Sequence, residues 1–195
     1  MTLRELIYQS IEVQQHLLED EYIHATERIG EALISSLRKG HTILIAGNGG
    51  SAADAQHFAA ELAGRFLVER RGLPVIALTT NSSILTAIGN DFSYDQVFAR
   101  QIEAYGRPGD IFIGITTSGN SKNILKALTV AKKNRLICVG LLGNEGGLAK
   151  PLCDFALVVP SANTQYIQEA HIVVIHALSY LIDQAWKSFE SLSSV

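Results

Sequence analysis

From residue 42 onward, short continuous runs of apolar residues alternate with longer segments whose apolar residues recur at helical spacing. Continuous apolar runs are typical of parallel strands that are covered on both faces, and the intervening spacing indicates helices. The pattern predicts an α/β fold, a three-layer sandwich around a five-stranded parallel sheet with right-handed crossovers. The predicted strands are residues 42–46, 74–79, 110–115, 135–142 and 154–159. The predicted helices are residues 51–66, 82–89, 94–105, 121–133, 145–150 and 163–188.

The first 40 residues form a separate helical pattern, with apolar residues at helical spacing from Leu3 to Leu37. The acidic run Glu19–Glu21 indicates a break between two helices, and Gly40 is placed to end the second. The apolar stripe of this N-terminal helical hairpin needs a partner surface, which we expect its own domain and a second subunit to supply together. We predict one domain over residues 1–195, with helices in 1–40 used in oligomer packing and an α/β core over 41–195.

Composition narrows the class of protein. Of the 195 residues, 47% are hydrophobic and 18% charged, which indicates a globular fold with a substantial core. The formal net charge of −3 favours neither nucleic acid nor a membrane surface as a partner. Cys138 and Cys153 lie in apolar runs and are expected to be reduced core thiols. Since no signal peptide and no membrane-spanning apolar stretch is apparent, we expect a cytoplasmic protein.

A glycine-rich loop, Gly47–Ser51, lies between the first predicted strand of the core and its first helix. Unpaired N–H groups at a helix start, together with the helix dipole, attract anions, and glycine lets the backbone approach a phosphate closely. We predict that Ser51 caps the helix and can also offer its hydroxyl to a ligand. An ordinary strand–helix turn with a serine cap is the simpler alternative.

A second loop of this kind, Thr116–Ser121, follows the third predicted strand. In a doubly wound sheet with the flavodoxin-like order 2-1-3-4-5, strands 1 and 3 flank the ligand crevice, so the two loops face each other. The hydroxyls that would meet there belong to Ser51, Thr116, Ser118 and Ser121. Neither a Walker P-loop nor a dinucleotide-binding glycine motif is present, so a sugar phosphate is favoured over a nucleotide. The alternative is that these hydroxyls only cap helices and stabilise turns.

Candidate metal ligands stand on two predicted helices. His57 and Glu61 are four residues apart and share one helix face, a spacing that suits zinc but is also common in ordinary polar pairs. The last helix is apolar almost all round, with Gln168, His171 and His176 as polar insertions that each need a partner. Helix geometry does not indicate which of these three residues would bind a metal together with His57 and Glu61.

Several segments carry a family resemblance. Residues 46–62, 85–91, 116–121 and 167–171 resemble the phosphoheptose isomerases, a branch of the sugar isomerase (SIS) domains, and the similarity extends in order over nearly the whole chain. The resemblance implies a homotetramer with sites shared between subunits. It also implies zinc-assisted conversion of sedoheptulose 7-phosphate to D-glycero-D-manno-heptose 7-phosphate, the first step of ADP-heptose synthesis for a lipopolysaccharide core or another surface glycan.

The resemblance also assigns roles to residues. It implies one Zn²⁺ per subunit, with the ligands His57, Glu61, Gln168 and His176. It implies phosphate contacts from Ser51, Thr116, Ser118 and Ser121, and a sugar subsite lined by Asn48, Gly49, Gly50, Asn90, Asp91 and the backbone of Thr117, with Gln168 also near the substrate. Thr116 stands where the family often has serine, and Tyr166 stands where many members have a basic residue.

An aldose–ketose conversion needs a base, an acid and stabilisation of an enediolate. We expect Glu61 as the base, His176 as the acid and zinc to polarise the carbonyl, although a carboxylate held on zinc is a poorer base. Asp91 and Gln168 are possible helpers, and His171 is expected to be hydrogen-bonded within the buried helix.

Two other functions compete with this one. Relatives of the family act as non-catalytic tetrameric scaffolds that bind the replication initiator protein. Other SIS domains sense sugar phosphates as parts of regulatory proteins. The simultaneous presence of His57, Glu61, Gln168 and His176 favours the enzyme, because function lies in the site rather than in the fold.

Overall fold

The computed structural model describes residues 1–193, with side chains through residue 187. Its strands are β1 (Ile43–Gly47), β2 (Val75–Ala77), β3 (Ile111–Thr116), β4 (Ile137–Leu142) and β5 (Phe155–Val158). They form one parallel sheet in the order β2-β1-β3-β4-β5. The predicted fold class and strand order are therefore confirmed.

Seven α-helices surround or extend this sheet in the part of the chain that is described. They are α1 (Leu3–His16), α2 (Asp20–Arg38), α3 (Gly50–Ala63), α4 (Ser82–Asp91), α5 (Ala99–Tyr105), α6 (Lys122–Lys133) and α7 (Thr164–Ser193). Short 3₁₀ turns cover Tyr94–Gln96, Asn144–Gly146 and Lys150–Leu152. The helix predicted at 94–105 is thus divided between a 3₁₀ turn and α5, and α7 is longer than predicted.

The helix predicted at residues 145–150 is wrong. Glu145, Gly146 and Gly147 have φ angles of 58°, 88° and 51°, which lie in the left-handed region and are incompatible with a right-handed α-helix. The chain instead makes two separate 3₁₀ turns here. This irregular connection lies beside the candidate site described below.

The N-terminal hairpin follows its predicted boundaries. Thr2 and Glu5 form a reciprocal capping box at the start of α1, and the break falls between His16 and Asp20. Gly40, with φ of 82°, follows α2 in the conformation expected just past a helix end. The two helices differ in burial. α2 buries Ile29, Leu33 and Leu37 in the core, whereas α1 buries none of its residues.

Apolar side chains fill both faces of the sheet. Along β1, Ile43 and Ile45 pack on one side with residues of α2, α3 and α7, while Leu44 and Ala46 pack on the other with residues of α5 and α6. Since β1 and β3 are adjacent and parallel, Gly47 and Thr116 end at the same edge of the sheet. α3 and α6 begin from that edge, on opposite faces.

Cys138 and Cys153 are free thiols, as expected, and burial raises the pKa of each to about 12. Across residues 1–193, no helix combines the length and the apolarity that crossing a membrane requires.

The burial of α2 predicts a stability difference between two leucines. Leu33 is 0% exposed and Leu148 is 66% exposed. We expect Leu33→Ala to lower the free energy of unfolding by about 2–5 kcal/mol, because it removes apolar contacts and leaves a cavity. Leu148→Ala, the control, should change it by less than about 0.5 kcal/mol. Urea unfolding of the two variants measures both values, and equal effects would contradict the packing of α2 in the core.

Candidate active site

The glycine loop joins β1 to α3 with Gly49 at the N-cap position, where φ is 54°. Ser51, which we predicted to be the cap, instead lies inside the first turn of α3 and is only 4% exposed. The prediction is wrong because Gly49 adopts a left-handed conformation that favours glycine and supplies no capping side chain. The N–H groups of Ala52 and Ala53 donate to the Gly49 carbonyl, so those of Gly50 and Ser51 are the ones that a ligand at the helix start would meet.

The second loop gathers hydroxyl groups at the end of β3. Thr116 Oγ1 lies 3.0 Å from Ser121 Oγ and 3.4 Å from Ser118 Oγ, and the Asn120 N–H donates to Ser118 Oγ at 3.1 Å. Ser121 is the N-cap residue of α6, yet its side chain makes no capping hydrogen bond. Neither Ser51 nor Ser121 therefore caps a helix with its hydroxyl, whereas Ser118 does stabilise the turn through Asn120, so the phosphate contacts stay a prediction.

An irregular turn supports the second loop from behind. Gly119 has φ of 65°, and a side chain there would come within 2.2 Å of the Gly146 carbonyl oxygen. The Ala149 N–H donates to the Gly119 carbonyl at 2.9 Å, and the Leu148 N–H donates to Asn120 Oδ1 at 3.1 Å. The Gly146–Gly147 pair was a turn signal that the helix prediction for this segment overlooked.

A reciprocal pair of side-chain amides links the two loops. Asn48 Nδ2 donates to Asn123 Oδ1 at 2.9 Å, and Asn123 Nδ2 donates to Asn48 Oδ1 at 2.8 Å. The hydroxyl of Tyr94 also donates to Asn48 Oδ1, at 3.1 Å. Sequence reasoning missed Asn123, which is buried in the first turn of α6. Asn48 keeps one amide hydrogen for a ligand, because each amide nitrogen carries two.

The other predicted sugar contacts lie around these loops. Asn90 and Asp91 are exposed at the end of α4 and are joined by an Asn90 Nδ2 to Asp91 Oδ1 hydrogen bond of 2.8 Å. Thr117 is half-buried, and its carbonyl lies against Gly143, where a side chain would approach to 2.5 Å. The part of Asn90 and Asp91 in a sugar subsite therefore stays a prediction.

Three predicted metal ligands converge between α3 and α7. His57 Nε2 lies 2.9 Å from His176 Nε2 and 3.4 Å from Glu61 Oε1, and one ligand atom from each residue lies within 4.8 Å of the others. Nitrogen and oxygen ligands about 2 Å from a tetrahedral zinc ion lie about 3.3 Å from one another. Two imidazoles and one carboxylate suit zinc in chemistry, and the separations of His57 from His176 and from Glu61 lie near this value.

Gln168 is placed at the start of α3. A side chain at Gly50 would come within 2.4 Å of Gln168 Nε2, so glycine is required where the two helices meet. Glu61 lies eleven residues further along the same helix. The structure thus brings Gln168 to the glycine loop, and its role as a metal ligand stays a prediction.

Phe66, which sequence reasoning missed, helps to orient His176. The two rings are stacked, with centroids 5.6 Å apart and planes 17° apart. The ring of His57 also contacts His176, with centroids 5.1 Å apart and planes 61° apart. His176 therefore contacts two rings, one from α3 and one from the segment that follows it.

Asp54 is a further group that sequence reasoning missed. It lies on α3 one turn before His57, is 5% exposed, and its Oδ2 has no hydrogen-bond partner among the described residues. Burial raises the pKa of Asp54 to about 6, and the nearby His57 lowers it to a smaller extent. A charged residue on the buried face of a helix was the signal that could have identified it.

His171 has a structural partner outside its own helix, contrary to the prediction. His171 Nε2 lies 3.1 Å from the carbonyl oxygen of Leu142 in β4, so this nitrogen carries the hydrogen and donates. Nδ1 is buried and unpartnered among the described residues. Burial lowers the pKa of His171 to about 4, against a smaller opposing effect of the hydrogen bond to Leu142.

Comparison with known proteins finds relatives in both sequence and overall fold. A sequence profile of the SIS domain matches residues 8–143. A phosphoheptose isomerase of Trichlorobacter lovleyi is 51% identical over 178 residues, which cover 89% of this chain and 91% of that protein. The solved structure of the Neisseria gonorrhoeae phosphoheptose isomerase has a TM-score of 0.88 at 41% identity and covers 94% of this chain and 100% of that one. A phosphoheptose isomerase structure from Francisella tularensis has a TM-score of 0.90 at 37% identity, with the same coverage.

The buried histidine predicts a pH dependence of stability. The pKa of His171 falls from its ordinary value of 6.5 to about 4 on folding, so below pH 6.5 the unfolded chain takes up a proton that the folded chain does not. As pH falls from 7 toward 4, we expect wild type to lose about 3 kcal/mol of unfolding free energy relative to His171→Gln. Urea unfolding with a chelator present measures this difference.

Asp54 acts in the opposite direction, because its raised pKa stabilises the folded state as the pH falls through about 6. Since both proteins contain Asp54, the comparison between them isolates His171. An unchanged stability difference between pH 7 and pH 4 would contradict the burial of a neutral imidazole.

Proposed function

We propose that the substrate is sedoheptulose 7-phosphate and the product D-glycero-D-manno-heptose 7-phosphate. The chain belongs to the phosphoheptose isomerase family of SIS domains. Family membership makes the chain a sugar-phosphate isomerase of the aldose–ketose type. The observation that carries the proposal is the convergence of His57, Glu61 and His176 beside the helix that begins at the glycine loop.

The phosphate of the substrate would lie between the two loops. α3 and α6 both begin at this edge of the sheet, and the N–H groups and partial positive charge of a helix start favour a dianion. The hydroxyl contacts proposed for it are Ser51, Thr116, Ser118 and Ser121. The sugar would extend past Asn48, Gly49 and Gly50 toward the metal ligands, with Asn90, Asp91, Thr117 and Gln168 along its sides.

Two side chains would move the protons. Glu61 removes a proton from C1 of the ketose while His176 donates one to the C2 oxygen from Nδ1, since its Nε2 faces His57 and the metal position, and this gives an enediol. Return of a proton to C2 and loss of the O1 proton then leave the aldose, so no atom or electron is gained or lost. Phe66 keeps the His176 ring in one orientation for this exchange.

Zinc, bound by His57, Glu61 and His176 with Gln168 as the proposed fourth ligand, would supply a Lewis acid that polarises the substrate carbonyl. Glu61 can serve both as ligand and as base because a carboxylate has two oxygens, of which one can accept a proton. We place the reaction in the cytoplasm, as the first step toward ADP-heptose for a lipopolysaccharide core or another surface glycan.

The proposed assembly is a homotetramer with shared sites. Leu3, Ile7, Tyr8 and Ile11 of α1 are exposed. Beside them, a mainly apolar groove of about 450 Å³ runs between α1, α2 and α7. Contiguous apolar surface of this kind supports packing against a second copy of the chain.

The first experiment is an isomerase assay with sedoheptulose 7-phosphate, with and without a chelator. We expect turnover by the purified protein, about one zinc per subunit, and loss of activity on chelation that added zinc restores. Glu61→Gln should bind the substrate but lose at least about 100-fold in kcat, in line with the contribution of a general base.

A matched control is Glu103→Gln, a neutralisation on the exposed surface of α5. It should leave turnover unchanged. Normal turnover by Glu61→Gln would remove Glu61 as the base. Absence of turnover in wild type that carries its zinc would favour the non-catalytic scaffold instead.

The second experiment tests the assembly. Ile7→Glu/Ile11→Glu places two charges on the exposed stripe of α1 and should convert the tetramer to smaller species, measured by light scattering during gel filtration. Tyr105→Glu, on the exposed surface of α5, is the control and should leave the mass unchanged. A wild-type monomer would overturn the proposed tetramer.

A further inference from the structure

The segment between α3 and β2 is held against α7 by a buried ion pair. Arg70 Nε donates to Asp183 Oδ1 at 2.8 Å, and both side chains are 0% exposed. Asp183 Oδ2 accepts the backbone N–H groups of Leu67 at 2.8 Å and Val68 at 2.9 Å. One carboxylate on α7 thereby fixes three residues of the connecting segment.

Arg70 also closes the C-terminal end of α3. Its guanidinium donates to the carbonyl of Glu61 at 2.9 Å, to that of Leu62 at 2.9 Å and to that of Arg71 at 3.2 Å. The last carbonyls of a helix lack partners within it, and a cation there is favoured by the helix dipole. Four of the five guanidinium N–H groups are thus used, which the single ammonium of a lysine could not reproduce.

The contacts of Arg70 and Asp183 connect to the candidate active site in three ways. Arg70 binds the backbone carbonyl of Glu61 itself. Asp183 lies seven residues after His176 on α7, two turns along the same face. Phe66, in the segment held by the pair, stacks on the ring of His176.

A buried ion pair is by itself weak evidence of stabilisation, because the cost of removing two charges from water offsets their attraction. What a fully bonded Arg–Asp pair does provide is a fixed geometry. Here the fixed elements are the last turn of α3, which carries Glu61, and the middle of α7, which carries His176.

We propose that Arg70 and Asp183 are positioning residues that hold Glu61 in register with His176, and thereby set the spacing of the metal ligands and of the proton-transfer groups. Their effect on zinc and turnover rests on the proposed function, whereas the positioning of α3 against α7 can be measured without metal.

The test uses Arg70→Lys and Asp183→Asn in the full chain, with Asp110→Asn as the matched control. Asp110 is also a buried carboxylate that accepts two backbone N–H groups, but these belong to Thr42 and Arg107, in the segments that lead into β1 and β3, and not to the connection between α3 and α7. Zinc affinity is measured by competition with a chelating dye, and kcat and KM by the isomerase assay. Hydrogen exchange of residues 59–66 is measured in the metal-free proteins.

We expect Arg70→Lys and Asp183→Asn to weaken zinc binding about 10–100-fold and to lower kcat, as loss of residues that orient metal ligands does elsewhere. KM should stay near the wild-type value, because the phosphate loops are untouched. Exchange over residues 59–66 should be faster in both. Asp110→Asn should lower the melting temperature while leaving zinc affinity, kcat and this exchange at wild-type values.

The outcomes separate the two proposals. Wild-type protein that neither binds zinc nor turns over would overturn the proposed function, and the exchange measurement would still decide the positioning role. If folded Arg70→Lys or Asp183→Asn keeps wild-type exchange over residues 59–66, or keeps wild-type zinc affinity and kcat in an active enzyme, the positioning role is wrong. Should Arg70→Lys fail to fold, Asp183→Asn carries the test alone.

Discussion

The packing of α3 against α7 is the constraint on which the rest of the site depends. Phe58 and Leu62 of α3 share one apolar core with Val174 and Leu178 of α7, so the two helices have a common buried side. Because this core fixes their spacing, His57 and Glu61 meet His176 across the contact. At the other end of α3, Gly50 allows Gln168 to lie directly on the helix start. The pair α3 and α7 thus connects the glycine loop, which favours an anion, to the side chains of His57, Glu61 and His176.

Local patterns predicted the parts of this molecule that depend on local residues. The strands and the His57–Glu61 pair follow from apolar runs and helical spacing, and the strand order from the flavodoxin-like arrangement expected of such strands. Asn123, Phe66 and Asp183 instead act through partners far away in sequence. Ser51 failed as a cap and residues 145–150 failed as a helix for one reason. In both segments, left-handed glycines decide the backbone path, and propensity averages do not describe such residues.

The two histidines of α7 can be assigned different roles only from their burial in the structure. His171 and His176 stand five residues apart in the same apolar helix and look equivalent in the sequence. Burial keeps His171 neutral despite the smaller opposing effect of its hydrogen bond to the Leu142 carbonyl, whereas His176 is half-buried beside His57 and Glu61. Histidine therefore stabilises the packing at position 171 and, by our proposal, transfers a proton at position 176.

The close approach of Gly119 to Gly146 has a consequence for redesign. With 2.2 Å between a would-be side chain and a carbonyl oxygen, the hydroxyl-rich loop cannot be reshaped by substitution at that glycine without moving the turn behind it. The exposed end of α4, where Asn90 and Asp91 lie, has no such restriction. By the sugar subsite that we propose, directed evolution toward sugars of other lengths would therefore start with libraries at α4, with the two loops kept constant.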